Sequence, residues 1–169
     1  IGPVQGGQVS ADGRYVLVAS SLSYDDEGSI LPRSILRKDL LTGQQERVDI
    51  DGAGNTTWGN NSSPVAHGIS ADGRYVLFAA DGSTGSGFIL RKDMDTGAIV
   101  RVNVDADGNT HQGWNAAGPQ ISMSGDGNVV VMEQYNADYS GLPGPDSRRH
   151  IYHKDLTTGE IKRVDIQPD

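Results

Sequence analysis

Short apolar runs separated by glycine-bearing turns form the hydrophobic pattern of this chain, and the same order of runs occurs three times. The clearest copy is Ser70–Asp105. It opens with Ser70-Ala71-Asp72-Gly73, continues through the aromatic-aliphatic run Tyr75–Ala80, and crosses a polar loop to Phe88–Met94. A Thr96-Gly97 turn then leads to Ile99–Val104. Ser10-Ala11-Asp12-Gly13 and Ser124-Gly125-Asp126-Gly127 open the other copies, Thr42-Gly43 and Thr158-Gly159 supply their second turns, and Arg47-Val48-Asp49-Ile50 and Arg163-Val164-Asp165-Ile166 close them. Glycine reaches positive φ at little steric cost, so Asp-Gly and Thr-Gly between apolar runs predict hairpins. No window carries a helical apolar stripe. Self-similarity at this spacing marks a repeat architecture.

Each copy reads as four antiparallel strands. The first has residues 4–9, Arg14–Ser20, Ser34–Asp39 and Gln45–Ile50; the second has Pro64–Ile69, Tyr75–Ala80, Phe88–Met94 and Ile99–Val104. The third has Pro119–Met123, Asn128–Glu133, His150–Leu156 and Glu160–Ile166. The expected fold is all-β, a single unit of three four-stranded blades over about 3–51, 64–105 and 119–167. The spacing is rigid in places. From Lys38, Lys92 and Lys154 to Arg47, Arg101 and Arg163 it is nine residues each time, and from Asp51 to Ser70 and Asp105 to Ser124 it is nineteen. Between the turn Asp and the following Lys it varies, at 26, 20 and 28 residues, so the second-to-third-strand loop is the variable element. Variable loops on a rigid scaffold are where binding usually resides.

The series Ser-x-Asp-Gly, aromatic-aliphatic strand, strand ending in Asp, Thr-Gly turn and Arg-Val last strand resembles the TolB-like (PD40-type) branch of the WD40-like β-propeller repeats. In the middle copy these elements are Ser70–Gly73, Tyr75–Phe78, Ile89–Asp93, Thr96-Gly97 and Arg101-Val102; the third copy departs at Gly125, Asn128 and Val129. The resemblance implies propeller blades and leaves function open, because propellers serve as lectins, enzyme domains and docking platforms. Propellers close with about four to eight blades. Three would leave two uncovered faces, inviting a homo-oligomer (two chains completing a six-bladed ring) or another protein partner.

Composition narrows the classes. The net charge is −8 and the pI about 4.8, which disfavours nucleic acid. There is no cysteine, hence no disulfide, thiolate metal site or cysteine nucleophile. No apolar run is long enough to span a bilayer, so membrane insertion is not expected. The chain opens at Ile1, which reads as a processed form or a fragment; an extracellular or periplasmic location is expected.

A propeller blade places its second-to-third-strand loops and its inter-blade connectors on one rim, here residues 21–34, 81–87, 134–149, 52–63 and 106–118. The candidate binding residues on that rim are Trp58, Asn60, His111, Trp114, Asn115, Tyr135, Tyr139, Arg148 and Arg149. Tyr and Arg are hot-spot types, and aromatic rings beside amides also grip sugars. Because both lie in connectors of fixed length, Trp58 and Trp114 read first as wedges between blades. Asp105, Asp107 and Asn109 resemble the opening of a calcium loop, although the matching Asp51–Asn55 lacks the middle carboxylate and a tight turn explains both. Asp39, Asp93 and Asp155 read as turn caps and His153 as a strand surface residue. Gly82–Gly87 lacks the Gly-Lys-Ser/Thr of a phosphate loop, and no Gly-x-Ser-x-Gly elbow is present. The expectation is a non-catalytic, cofactor-free binding or assembly module, with a glycan-binding lectin and a piece of a larger hydrolase propeller as alternatives.

Overall fold

The computed structural model describes residues 4–20, 23–24, 30–31, 34–56, 64–80, 87–105, 107–109, 120–135 and 148–165. Fourteen strands are present and no helix occurs among the described residues. The first sheet consists of β1 (Val4–Val9), β2 (Tyr15–Ser20), β5 (Ser34–Asp39) and β6 (Gln45–Arg47), hydrogen-bonded in that order. The second is β7 (Val65–Ile69), β8 (Tyr75–Ala80), β9 (Phe88–Asp93) and β10 (Ile99–Arg101). The third is β11 (Ile121–Met123), β12 (Val129–Tyr135), β13 (Arg149–Asp155) and β14 (Ile161–Arg163). All ladders are antiparallel, as the short turns require. Within the expected loop 21–34, β3 (Ser23–Tyr24) pairs with β4 (Ile30–Leu31), a small ribbon that apolar patterning did not reveal.

The turns follow from their glycines. Gly13, Gly73 and Gly127 have φ of 74°, 77° and 76°, and Gly43, Gly97 and Gly159 have 79°, 75° and 78°. In the first hairpin the Ser10 hydroxyl donates to Asp12 and accepts the Tyr15 amide, while Asp12 accepts the Arg14 amide. Ser70–Asp72 and Ser124–Asp126 repeat this arrangement.

Period-two alternation gives each blade two faces, and the blades stack face to face. The trailing face of the first sheet (Leu17, Ile35, Val48) packs on the leading face of the second (Val76, Phe78, Ala80, Leu90). The trailing face of the second (Leu77, Ile89, Val102) packs on Val130, Met132 and Tyr152 of the third. The central strand β8 is therefore apolar on both faces, and its residues 76–80 are all buried.

The outermost strands are shorter than expected, ending at Arg47, Arg101 and Arg163 rather than at Ile50, Val104 and Ile166. A side chain explains this. Asp49 Oδ1 accepts the Ile35 amide at 3.1 Å and Asn103 Oδ1 accepts the Ile89 amide at 3.1 Å. A carboxylate or amide oxygen thus takes the place of the next ladder carbonyl, which frees the backbone to leave for the next blade.

Burial sets the expected energetics. Leu77, fully buried between the second and third sheets, loses about 2–5 kcal/mol on Leu77→Ala. Val164 holds the repeat position of Val48 and Val102, yet it is 51 % exposed where they are 0 %. Val164→Ala therefore changes stability by no more than about 0.5 kcal/mol. Urea unfolding of the two variants checks the contrast.

Candidate functional site

The side chains that join blades recur in register and form the best-defined polar constellation among the described residues. Tyr15 points from the trailing face of the first sheet at Gly73; a Cβ on Gly73 would lie 2.1 Å from its ring. Tyr75 meets Gly127 in the same way, at 2.4 Å. Two guanidinium groups accompany each ring, those of Arg14 and Arg37 at 4.8 and 4.5 Å from the Tyr15 centroid and those of Arg74 and Arg91 at 5.0 and 4.4 Å from Tyr75. Arg37 donates to the Gly73 carbonyl at 2.7 Å and Arg91 to the Gly127 carbonyl at 2.7 Å. Arg37 also pairs with Glu46. A polar crevice of about 200 Å³ opens beside the first joint, lined by Arg14, Tyr15, Arg37, Asp39 and Glu46 among others.

The opposite direction is served by lysine. Lys92 Nζ donates to the Arg47 and Ile50 carbonyls at 3.0 and 2.5 Å, collecting the chain as it leaves the first sheet. Lys154 Nζ does the same for Val104, at 2.9 Å, and Asp105, at 3.4 Å, and also donates to Gly159 at 2.7 Å. Burial pushes both ammonium groups below the ordinary lysine value.

Arg14 and Arg74 are held by the strand-end aspartates Asp39 and Asp93, each at 2.7 Å. Asp39 accepts the Leu41 amide and Asp93 the Asp95 amide, so both cap their turns as expected and also anchor an arginine. The arginine hydrogen bond holds the Asp93 carboxyl down at about 2 and Asp39 well below the usual carboxylate range. Asp155 is lowered too, by the Thr158 and Thr157 amides.

Of the rim residues, Trp58, Asn60, His111, Trp114, Asn115 and Tyr139 lie outside the described residues. Tyr135 ends β12 opposite Arg149. Arg148 is exposed, and Arg149 forms a 2.9 Å ion pair with Glu133 across the two strands. Beneath them His150 is buried, with Nδ1 2.8 Å from Asp165, which also accepts from Arg163 at 2.8 Å. Burial acts to raise the Asp165 carboxyl, but the hydrogen bonds and charges of His150 and Arg163 together leave the group below its ordinary value. His150 thus closes the end of β14 much as the Ile35 and Ile89 amides meet Asp49 and Asn103, a role that sequence reading did not give it.

Two placements need correction. The described starts of the connectors do not lie on the loop rim. The Cα of Gly52 stands 3.1 Å from where a Cβ of Gly97 would be, and Lys154 bridges Asp105 to Gly159, so both segments run beside the next blade's Thr-Gly hairpin. Asp105, Asp107 and Asn109 therefore sit apart from Arg148 and Arg149. Asp105 Oδ1 accepts the Asp107 and Asn109 amides at 2.9 and 2.8 Å, as Asp51 Oδ1 accepts those of Ala53 and Asn55 at 2.9 and 2.8 Å. No group of three or more His, Cys, Asp or Glu side chains suited to a metal occurs among the described residues. His153, expected on the surface, is half-buried, and its Nδ1 is buried without a hydrogen-bond partner among the described residues.

No protein-family model and no curated protein match the chain. Solved structures do match it. TolB from Acinetobacter baumannii superposes with a TM-score of 0.57 at 20 % identity, over 98 % of this chain and 33 % of that one. The fold is that of a TolB-like β-propeller. A putative TolB from Agrobacterium tumefaciens gives 0.53 at 20 % identity, over 95 % of this chain and 48 % of that one. The tricorn protease gives 0.53 at 10 % identity, over 95 % and 18 %. This chain therefore spans less than half the length of each, and at these identities the likeness is one of fold.

Two outcomes follow from the joints. Gly13→Ala and Gly73→Ala carry the same positive-φ penalty, but only Gly73 faces a ring. Gly13→Ala costs about 1–2 kcal/mol, and Gly73→Ala about 1–3 kcal/mol more from overpacking; equal losses in urea titrations would contradict the wedge geometry. The second outcome concerns acid. A carboxylate whose folded pKa is depressed contributes stability above its unfolded value and loses it as pH falls to the folded one. The Asp93 contribution is thus complete above about pH 4 and lost by about pH 2. Arg74→Gln lowers Tm at pH 7 and shrinks the fall in Tm between those limits.

Proposed function

We propose that this chain is a non-catalytic docking module, which binds a protein partner through the outer faces of its first and third sheets. One observation carries the reading: repeat positions that are covered inside the stack are bare at its two ends. Val9 is 58 % exposed and Leu40 55 % on the first sheet, and Val164 is 51 % exposed on the third. Their counterparts Ile69 and Met94 pack against the first core cluster, and Val48 and Val102 are fully buried. Apolar surface of this kind gains free energy on leaving water. The charged groups of the joints support the non-catalytic part. Asp39 and Asp93 hold arginines and turn amides, and Lys92 and Lys154 hold backbone carbonyls, all of them packing contacts.

The test compares immobilised wild type with a face variant (Val9→Asp/Leu40→Asp), a second face variant (Val164→Asp) and a rim variant (Glu133→Gln/Arg149→Gln), each verified as folded by circular dichroism. The expected result is a protein partner retained by the wild type and the rim variant, and lost at least about tenfold by one face variant, which a contribution of about 1.4 kcal/mol produces. Retention by both face variants, or loss in the rim variant alone, moves the function to the loop rim.

A further inference from the structure

The two joints have a polarity, and the two ends of the stack differ in which half of it they keep. In each joint the earlier blade gives a Tyr ring and a third-strand Arg, and the later blade receives them with the Gly of its Ser-x-Asp-Gly turn. The later blade also returns a third-strand Lys to carbonyls of the earlier one. Tyr15, Arg37, Gly73 and Lys92 build the first joint, and Tyr75, Arg91, Gly127 and Lys154 the second.

The leading face of the first sheet keeps the receiving half. Gly13 has φ of 74° and nothing within 4 Å of a Cβ placed on it. Lys38 stands at the Lys92 position, and Val9 and Leu40 are bare beside it. The trailing face of the third sheet lacks the giving half. Val129 replaces the tyrosine, Asn128 the arginine before it, and His153 the third-strand arginine. His153 faces Lys162 across the ladder, at the position where Arg37 faces Glu46, so an arginine there would meet a like charge. Changes at separate points along the chain therefore remove one device.

We infer that the leading face of the first blade is a socket for a blade that begins its second strand with Arg-Tyr and carries Arg two residues before the Asp of its third. The trailing face of the third blade does not enter such a socket, so copies of this chain do not add head to tail. The inference rests on the docking reading proposed above and names the partner: a propeller blade of Arg-Tyr chemistry rather than a second copy. Its tyrosine lies on Gly13, its third-strand arginine donates to the Gly13 carbonyl, and Lys38 takes the carbonyls at the end of its fourth strand.

The test installs the giving half on the third blade. The variant Asn128→Arg/Val129→Tyr/His153→Arg/Lys162→Glu is compared with wild type by light scattering over a concentration series. Wild type is expected to hold the mass of one chain, 17.9 kDa. The variant is expected to reach twice that or more, with association at least about tenfold tighter. Gly13→Asn, an amino acid that tolerates the left-handed region, or Lys38→Ala in the same background returns it to one chain. A folded variant that stays single, a wild type that associates as tightly, or association indifferent to Gly13→Asn overturns the socket. If circular dichroism shows the fourfold variant unfolded, Val129→Tyr/Lys162→Glu is measured by the same criteria. In the capture experiment, a partner lost by Val9→Asp/Leu40→Asp but kept by Gly13→Asn overturns the socket and leaves the docking reading standing; a partner kept by both face variants overturns the docking reading itself.

Discussion

An aromatic ring occupies the space of a glycine side chain at both described joints between blades, and the arginines and aspartates of those joints are arranged around that contact. Glycine is required twice over, because its φ is positive and because the ring occupies the space of a side chain. The surrounding arginines serve the same contact. Arg37 and Arg91 tie the glycine carbonyl to the earlier blade, and Arg14 and Arg74 are steadied by Asp39 and Asp93. Beneath this polar clasp the Val, Ile, Leu and Phe side chains of facing sheets interdigitate. The clasp orients and the apolar layer holds.

Much of the fold was legible in the chain because the residues that specify it act locally. A glycine in a Ser-x-Asp-Gly or Thr-Gly turn announces its own backbone geometry, and the apolar runs between turns are central strands of four-stranded sheets. Pattern and structure part where a side chain does backbone work. Arg-Val-Asp and Arg-Val-Asn read as continuing strand, since Val48 and Ile50 are apolar. In the structure, Asp49 and Asn103 take over a ladder hydrogen bond and end the strand. Nothing in hydrophobic periodicity reports such a substitution, although an oxygen-bearing residue recurring two places after arginine in all three copies was the available sign.

The candidate site was less legible, for a related reason. The sequence points to Trp58 and Trp114 as inter-blade wedges because both lie in connectors of fixed length, whereas Tyr15 and Tyr75 read as ordinary strand residues. The described residues show the two tyrosines as wedges, and their signature lay in correlated change: the third copy loses Arg, Tyr and the distant Arg together. The buried His150–Asp165 pair depends on contact between residues fifteen apart, which local patterning does not carry.

Each arginine that ties one blade to the next reaches a carbonyl 36 residues further along, in both joints alike. That interval runs from the third strand forward to the next hairpin, so the variable loop between second and third strands falls outside it. Lengthening or replacing this loop leaves the covalent span of the clasp unchanged. The architecture thereby separates the segment whose length varies from the segment whose length is the same in both joints.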